Sequence, residues 1–588
     1  METSGNLWYT IGTISDTEVD DMTFSELEYR RVDMDAFRAD LEAVIAAFAD
    51  AKTFEEADRA YAAKDELECL SLRSMRTIAQ IRRDIDTRDP FYDAEIAFYN
   101  REIPTLAPLR KAWMNALLNS PFRAELEEKY GSVSFLNAQM EARTVDPALI
   151  GDMQQENELV TRYTKLIASA QIPFDGRTLT LSQLSPYKLS ADDSIRRAAW
   201  RAEGTWYSEH GEELDSIYDQ LVALRDSMGK KLGHAGYTPL GYDLMKRNCY
   251  SEADVEAFRA AVRRHLVPLA DKLCRRQAQR LEFDYPLSFA DKDLTFRSGN
   301  PRPVGTPEEI LQTGTAFYTE LSPETKEFWD HMRRHEMMDV ESKPGKASGG
   351  YCTAVYTMRS PFIFANFNGT AHDVEVITHE AGHAFASYIN RSRVPSDTQW
   401  PSLEGCEVHS MSMEFFAEPW AEDFFGPDAR KFRFTHLADA IKFIPYGTMV
   451  DHFQHEVYAH PEYTPQQRHD IWRRLLKVYM PWTKPDDIPF YGEGKGWQRQ
   501  SHIYKRPFYY IDYCLAQTVS LQFWLRIRQD RRAAFDTYLR YTRLGGSMVF
   551  TDLLREASLL SPFDESCMEA ICREAESFLD AYDLSGIE

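Results

Sequence analysis

The stretch HDVEVITHEAGHAFASYI, His372 to Ile389, constrains this 588-residue chain more than any other. Val374, Ile377, Ala381, Ala384 and Phe385 recur at three- and four-residue steps, which predicts an amphipathic helix over Asp373–Tyr388. In a helix, positions i and i+4 lie about 40° apart around the axis and about 6 Å along it. His379 and His383 therefore project from one face and can hold a single ion through imidazole nitrogens. Glu380 is turned about 100° from His379, so it flanks that ion and can take a proton from a water the ion acidifies. Ala381 and Gly382 keep the surrounding space small. With 15 histidines in the chain, chance supplies roughly 0.03 matches to His-Glu-x-x-His, so coincidence is the weaker reading.

A catalytic metal needs a third protein ligand and one open position. A further histidine six residues past His383 is absent, since Ile389 stands there. A glutamate on a second helix is the other option. PSLEGCEVHSMSMEFFAEPW (401–420) offers Glu404, Glu407, Glu414 and Glu418 near one face, and spacing alone does not choose among them. A glutamate that is not a ligand can orient a ligand histidine. Directly upstream of the histidines, SGGYCTAVYTMRSPFIFANFNGT (348–370) reads as two short strands joined near Arg359-Ser360-Pro361. Near the C-terminal end, GWQRQSHIYKRPFYYIDYCLAQTVSLQFW (496–524) gathers His502, Tyr504, Tyr509, Tyr510 and Tyr513. Such donors can stabilise a developing oxyanion; in the absence of a metal site an aromatic-rich helix is simply core.

Elsewhere the chain reads as helical, over 34–84, 92–118, 121–128, 153–170 and 190–228, with Asp192 and Asp193 opening the last. QIPFDGRTLTLSQLSPYKLS (171–190) breaks this pattern and marks a boundary, giving an N-terminal helical domain (1–185) and a second domain (186–588). The 92 acidic and 68 basic residues give a net charge of −24, which argues against nucleic acid or an anionic membrane as partner. Eight scattered cysteines without a C-x-x-C pair indicate reduced thiols rather than a disulfide framework or a thiolate metal site. The N-terminus shows no secretory signal and no apolar run is long enough to span a membrane, so a cytoplasmic location is expected.

In order, GGYCT, PFIFANFNGT, THEAGHAF, EGCEVHSMSMEFF and SHIYKRPFYYIDYCLAQ resemble the thimet oligopeptidase/oligoendopeptidase F family of zinc metallopeptidases, nearest to its Pz-peptidase-like branch, over residues 349–524. The resemblance implies one Zn2+ per chain held by His379, His383 and Glu407, with Glu380 as general base and Glu414 orienting a ligand histidine. It implies that His502 with Tyr510 and Tyr513 faces the substrate carbonyl, Tyr509 being the alternative tyrosine, and that Gly350, Phe364 and Asn366 contact substrate. The implied fold is mainly α, an α+β zincin with an elongated two-lobed helical body, a deep channel and a small sheet beside the His379 helix. The implied partners are short unstructured peptides, paired by β-augmentation to PFIFANFNG as an edge strand. A carboxy-dipeptidase of the same fold and a non-catalytic peptide-binding scaffold are the alternatives to an oligoendopeptidase.

Overall fold

The computed structural model describes residues 22–587. The segment 1–21, on which the expectation about a secretory signal falls, lies outside the described residues. The expected run 34–84 forms helices Met34–Ala49 and Phe54–Leu67, one π-helical stretch Glu68–Arg73, and α1 (Ser74–Ile85). Asp33 and Thr53 cap the first two by accepting from amides of the first turn. The turn-rich segment 171–190 becomes an antiparallel hairpin, β1 (Ile172–Phe174) and β2 (Arg177–Leu179), followed by the helix Leu181–Lys188. The stretch 190–228 divides into helices Asp193–Glu209 and Gly211–Lys231, and Asp192 caps the first as expected. All eight cysteines are free. No helix among the described residues is long and apolar enough to cross a membrane. The mainly helical fold is the one expected.

Strands are few. β3 (Leu287–Ser288) pairs with β7 (Thr483–Lys484), and β4 (Met338–Glu341), β5 (Tyr351–Val355) and β6 (Ser360–Phe367) form a three-stranded sheet in the order β4-β6-β5. The two strands read from the sequence are β5 and β6, joined at the expected place. One expectation is overturned: the PFIFANF strand is the centre of the sheet, not an edge. Its unbroken apolar run is the reason, because a strand covered on both faces gains by burying every side chain, and 360–365 are all buried. The edges are β4 and β5, and the first four residues of β5 are only half-buried.

One apolar core joins this sheet to the helices around it. Phe362 and Ile363 of β6 pack with Ile78 and Ile81 of α1, with Val374 and Ile377 of α2 (His372–Asn390), and with Val408 and Met411 of α3 (Leu403–Phe416). The end of α1 also grips the start of the β5 edge. The Asp84 carbonyl accepts from Ala347 N at 2.8 Å, and its carboxylate accepts from the Tyr351 hydroxyl at 3.1 Å. Asp373 anchors the start of α2 by accepting from the amides of Asn368 (2.8 Å) and Gly369 (2.7 Å), which ties the Asn-Gly turn after β6 to the helix. Val374, Ile377, Ala381, Ala384 and Phe385, the predicted apolar side, are all buried.

α2 and α3 cross at Gly382. A Cβ there would lie 2.6 Å from the Ser410 Cα and 2.7 Å from the His409 carbonyl oxygen, both backbone atoms that cannot rotate away. Gly382→Ala is therefore expected to destabilise the fold by about 1–3 kcal/mol, the usual cost of overpacking. A urea midpoint equal to wild type would mean that the crossing tolerates a wider separation.

Candidate metal centre and active site

The α2–α3 crossing places Glu407 under the two histidines. Oε2 of Glu407 stands 3.2 Å from Nε2 of His379 and 3.2 Å from Nε2 of His383. Among the described residues, these three form the one largely buried group able to hold a metal; His265, Glu565 and Glu569 form a second at the surface, where Arg264 already pairs with Glu565. A tetrahedral ion with metal–ligand distances of about 2.0 Å sets its ligands about 3.3 Å apart. The observed separations match that edge length, so the donors fit zinc in number, chemistry and spacing.

The remaining polar atoms of His379 and Glu407 are held from outside. Nδ1 of His379 meets Oε1 of Glu414 at 2.7 Å, leaving Nε2 for the ion. The other oxygen of Glu414 meets Nε2 of His436 at 2.9 Å, from α4 (Ala429–Ala459). Burial opposes the charge on Glu414, but its bonds to His379 and His436 outweigh this and hold it down at about 2. Glu407 is 1% exposed, and its Oε1 accepts from the Tyr509 hydroxyl. Ser410 adds a bond to Oε2 at 3.1 Å. Carboxylate–histidine–metal chains of this kind fix the tautomer and orientation of a ligand.

Glu380 is 7% exposed, and burial, with Glu407 adding repulsion, raises its carboxyl above the ordinary range against the pull of the two histidines. Its Oε1 faces Gly350 at the head of the β5 edge, where a Cβ would approach that oxygen to 3.2 Å and the Phe364 carbonyl oxygen to 3.3 Å. Gly350 thus keeps space beside the carboxylate. Phe364 and Asn366 serve differently from expectation. The Phe364 ring is fully buried and stacks on Tyr351 at 4.9 Å, while the Asn366 amide donates to the carbonyls of Ala347 (2.9 Å) and Gly349 (2.8 Å). Both shape the 347–350 segment from behind, a consequence of lying on the central strand.

His502 lies on the short helix α5 (Ser501–Lys505), and the tyrosines open α6 (Tyr510–Gln529). Nε2 of His502 is 3.3 Å from the Tyr513 hydroxyl. Burial, with Lys505 nearby, pushes His502 down to about 4, so the ring is neutral at physiological pH. Tyr513 lies in the field of both Glu407 and Glu380. Tyr510 does not share that position. Its ring rests against Phe443 and Tyr446 and closes on Gly447, and it touches His502 only edge-on, at 5.2 Å. One residue along a helix turns a side chain by about 100°, which carries Tyr510 away while Tyr509 and Tyr513, four apart, share the metal face. Tyr509 and not Tyr510 is the second tyrosine at the cluster. Tyr504 is core, fully buried and stacked on Tyr163 at 4.1 Å.

The other glutamates of α3 separate by depth. Glu404, 2% exposed, lies outside the cluster, and Glu418 follows the end of α3 in a half-buried position. Sequence reasoning missed His436 and Gln500. His436 carries no spacing signal, because it stands 53 positions after His383 on a different helix and meets the site through Glu414.

Models of known families match two parts of the chain: the peptidase M3 N-terminal domain over residues 24–145 and peptidase family M3 over residues 323–572. Pz peptidase A, solved with inhibitor 2, is 43% identical, with a TM-score of 0.94 over 95% of this chain and 99% of that one. The chain belongs to peptidase family M3. Oligopeptidase PepF of Bacillus subtilis is 25% identical over 41% of this chain, and the oligoendopeptidase F homolog of Borreliella burgdorferi 25% over 42%. Those two matches span only 36% and 42% of the relatives' own lengths.

Glu414→Gln is expected to weaken zinc binding about 10- to 100-fold, as loss of a ligand-orienting carboxylate does, while Glu404→Gln leaves it unchanged. Competition against a chromogenic chelator measures both, and equal affinities for the two variants would detach Glu414 from the metal centre.

Proposed function

We propose that the chain is a zinc oligoendopeptidase that hydrolyses internal bonds of short, unstructured peptides in a reducing cytoplasm. The observation that carries this reading is the buried His379–His383–Glu407 cluster with Glu380 beside it, set against the unpaired edge of β5. Zinc held there would supply Lewis-acid activation of water and of the scissile carbonyl.

The chain's own residues do the rest. The substrate main chain adds to the β5 edge, so backbone hydrogen bonds rather than side chains supply most of the binding, and sequence preference is broad. A folded protein cannot offer an extended segment to that edge. Glu380 takes the proton of the attacking water and passes it to the leaving amine, a role suited to a carboxylate whose burial raises its basicity. Gly350 leaves room for the water and the substrate backbone next to Glu380. The neutral His502, through its ring N–H, and the Tyr513 hydroxyl bind the carbonyl oxygen as it gains charge. Tyr509 holds Glu407 in place.

Glu380→Gln is expected to keep one zinc per chain and to lose turnover of a quenched peptide by about 10²- to 10⁴-fold, the range of general-base catalysis; a variant that turns over normally would remove Glu380 from the reaction. In a ladder of peptides, internal cleavage of short substrates and sparing of folded proteins is expected. Release of C-terminal dipeptides alone would favour a carboxy-dipeptidase. Tyr513→Phe should lower kcat roughly 100-fold, as loss of one oxyanion donor does, whereas Tyr510→Phe should stay within about twofold; the opposite ranking would restore Tyr510 to the site.

A further inference from the structure

His502 is neutral, so it carries one ring proton, and which nitrogen holds it decides whether the face towards Tyr513 donates or accepts. The contacts of Tyr446 and Gln500 settle this. Tyr446, on α4, donates its hydroxyl to Oε1 of Gln500 at 3.0 Å. With its oxygen engaged there, Gln500 turns its amide nitrogen to Nδ1 of His502, at 2.8 Å. An amide nitrogen only donates. Nδ1 therefore accepts, and the proton sits on Nε2, the nitrogen that meets the Tyr513 hydroxyl.

The reverse polarity is disfavoured, because it would turn the Gln500 amide so that its nitrogen donates to the Tyr446 oxygen and would take from the phenolic proton the acceptor it has at Oε1 of Gln500. The ring of His502 packs edge-on against Tyr510 at 5.2 Å and Tyr513 at 5.6 Å, which holds Nδ1 towards Gln500 and Nε2 towards Tyr513.

We propose that Gln500, held by Tyr446, is a positioning residue that fixes the Nε2–H tautomer of His502 and so presents a donor to the substrate carbonyl oxygen. This rests on the assignment of His502 as a carbonyl donor under the proposed function. The opposite tautomer would aim a lone pair at an oxygen gaining negative charge. Gln500 touches neither substrate nor metal; it acts entirely through the imidazole.

Gln500→Glu tests this in the zinc-loaded enzyme at alkaline pH, where the imidazole is neutral. The replacement has the same shape but only accepts, so it calls for the proton on Nδ1. Nitrogen NMR of histidine-labelled protein, with the His502 signal identified by its loss in His502→Phe, is expected to show Nε2–H in the wild type and Nδ1–H in the variant. kcat should fall roughly 100-fold, the loss of one aligned donor, with KM within about twofold and zinc content unchanged. Tyr446→Phe frees the amide to turn and should give a smaller fall in kcat with a mixture of tautomers. Nδ1–H in the wild type, or wild-type kcat in both variants, overturns the proposal. Wild-type turnover in His502→Phe would instead remove His502 from the chemistry, whereas its loss there with full activity in Gln500→Glu overturns the role of Gln500 alone.

Discussion

The close crossing of α2 and α3 at Gly382 is the constraint on which the rest of the site depends. Two histidines one turn apart on a helix define a direction but not a cage. The third ligand must come from another backbone, near enough for a short carboxylate side chain to reach both imidazoles at 3.2 Å. A side chain at the crossing would hold α3 off by the width of a methyl group, and Glu407 would then meet neither histidine at ligand distance. The glycine inside the motif therefore has a physical purpose separate from the chemistry of its neighbours.

Around that crossing, environment assigns different work to carboxylates that look alike in sequence. Glu407 is buried and Glu414 half-buried, both meet imidazoles, and Glu414 is held at about 2. Glu380 is buried without a hydrogen-bonded cation, and its carboxyl rises instead. Two groups bind or orient and the third stays basic, a division that follows from partners and desolvation rather than from residue type. The neutral His502 beside Tyr513 completes the set.

The sheet has a comparable economy. β6 is paired on both sides and buries its aromatic run, so it serves as the floor of the site. That leaves β4 and β5 as edges, and β5, the one beside Glu380, is anchored at its first residue by Asp84 from α1. Asn366 pins the segment before β5 from behind. The N-terminal helices thus take part in positioning the β5 edge through the shared core of Ile78, Ile81, Phe362 and Ile363.

The sequence by itself determined the helical class, the amphipathic face of α2, both strands before it, and His379, Glu380 and His383, because each of these is written in local periodicity. Family resemblance narrowed four glutamates to Glu407, which the geometry places against both histidines. Local pattern was silent or misleading wherever the outcome turned on what lies across a gap in the chain. An apolar strand looks the same at an edge as at the centre until its neighbours are known, and β6 proved central. Adjacent tyrosines differ only in the helix phase at which α6 begins, so the choice of Tyr509 over Tyr510 needed the register of α6 against α3. His436 meets Glu414 from 22 positions away and Tyr446 meets Gln500 from 54, and only the tertiary structure could bring each pair within hydrogen-bond distance.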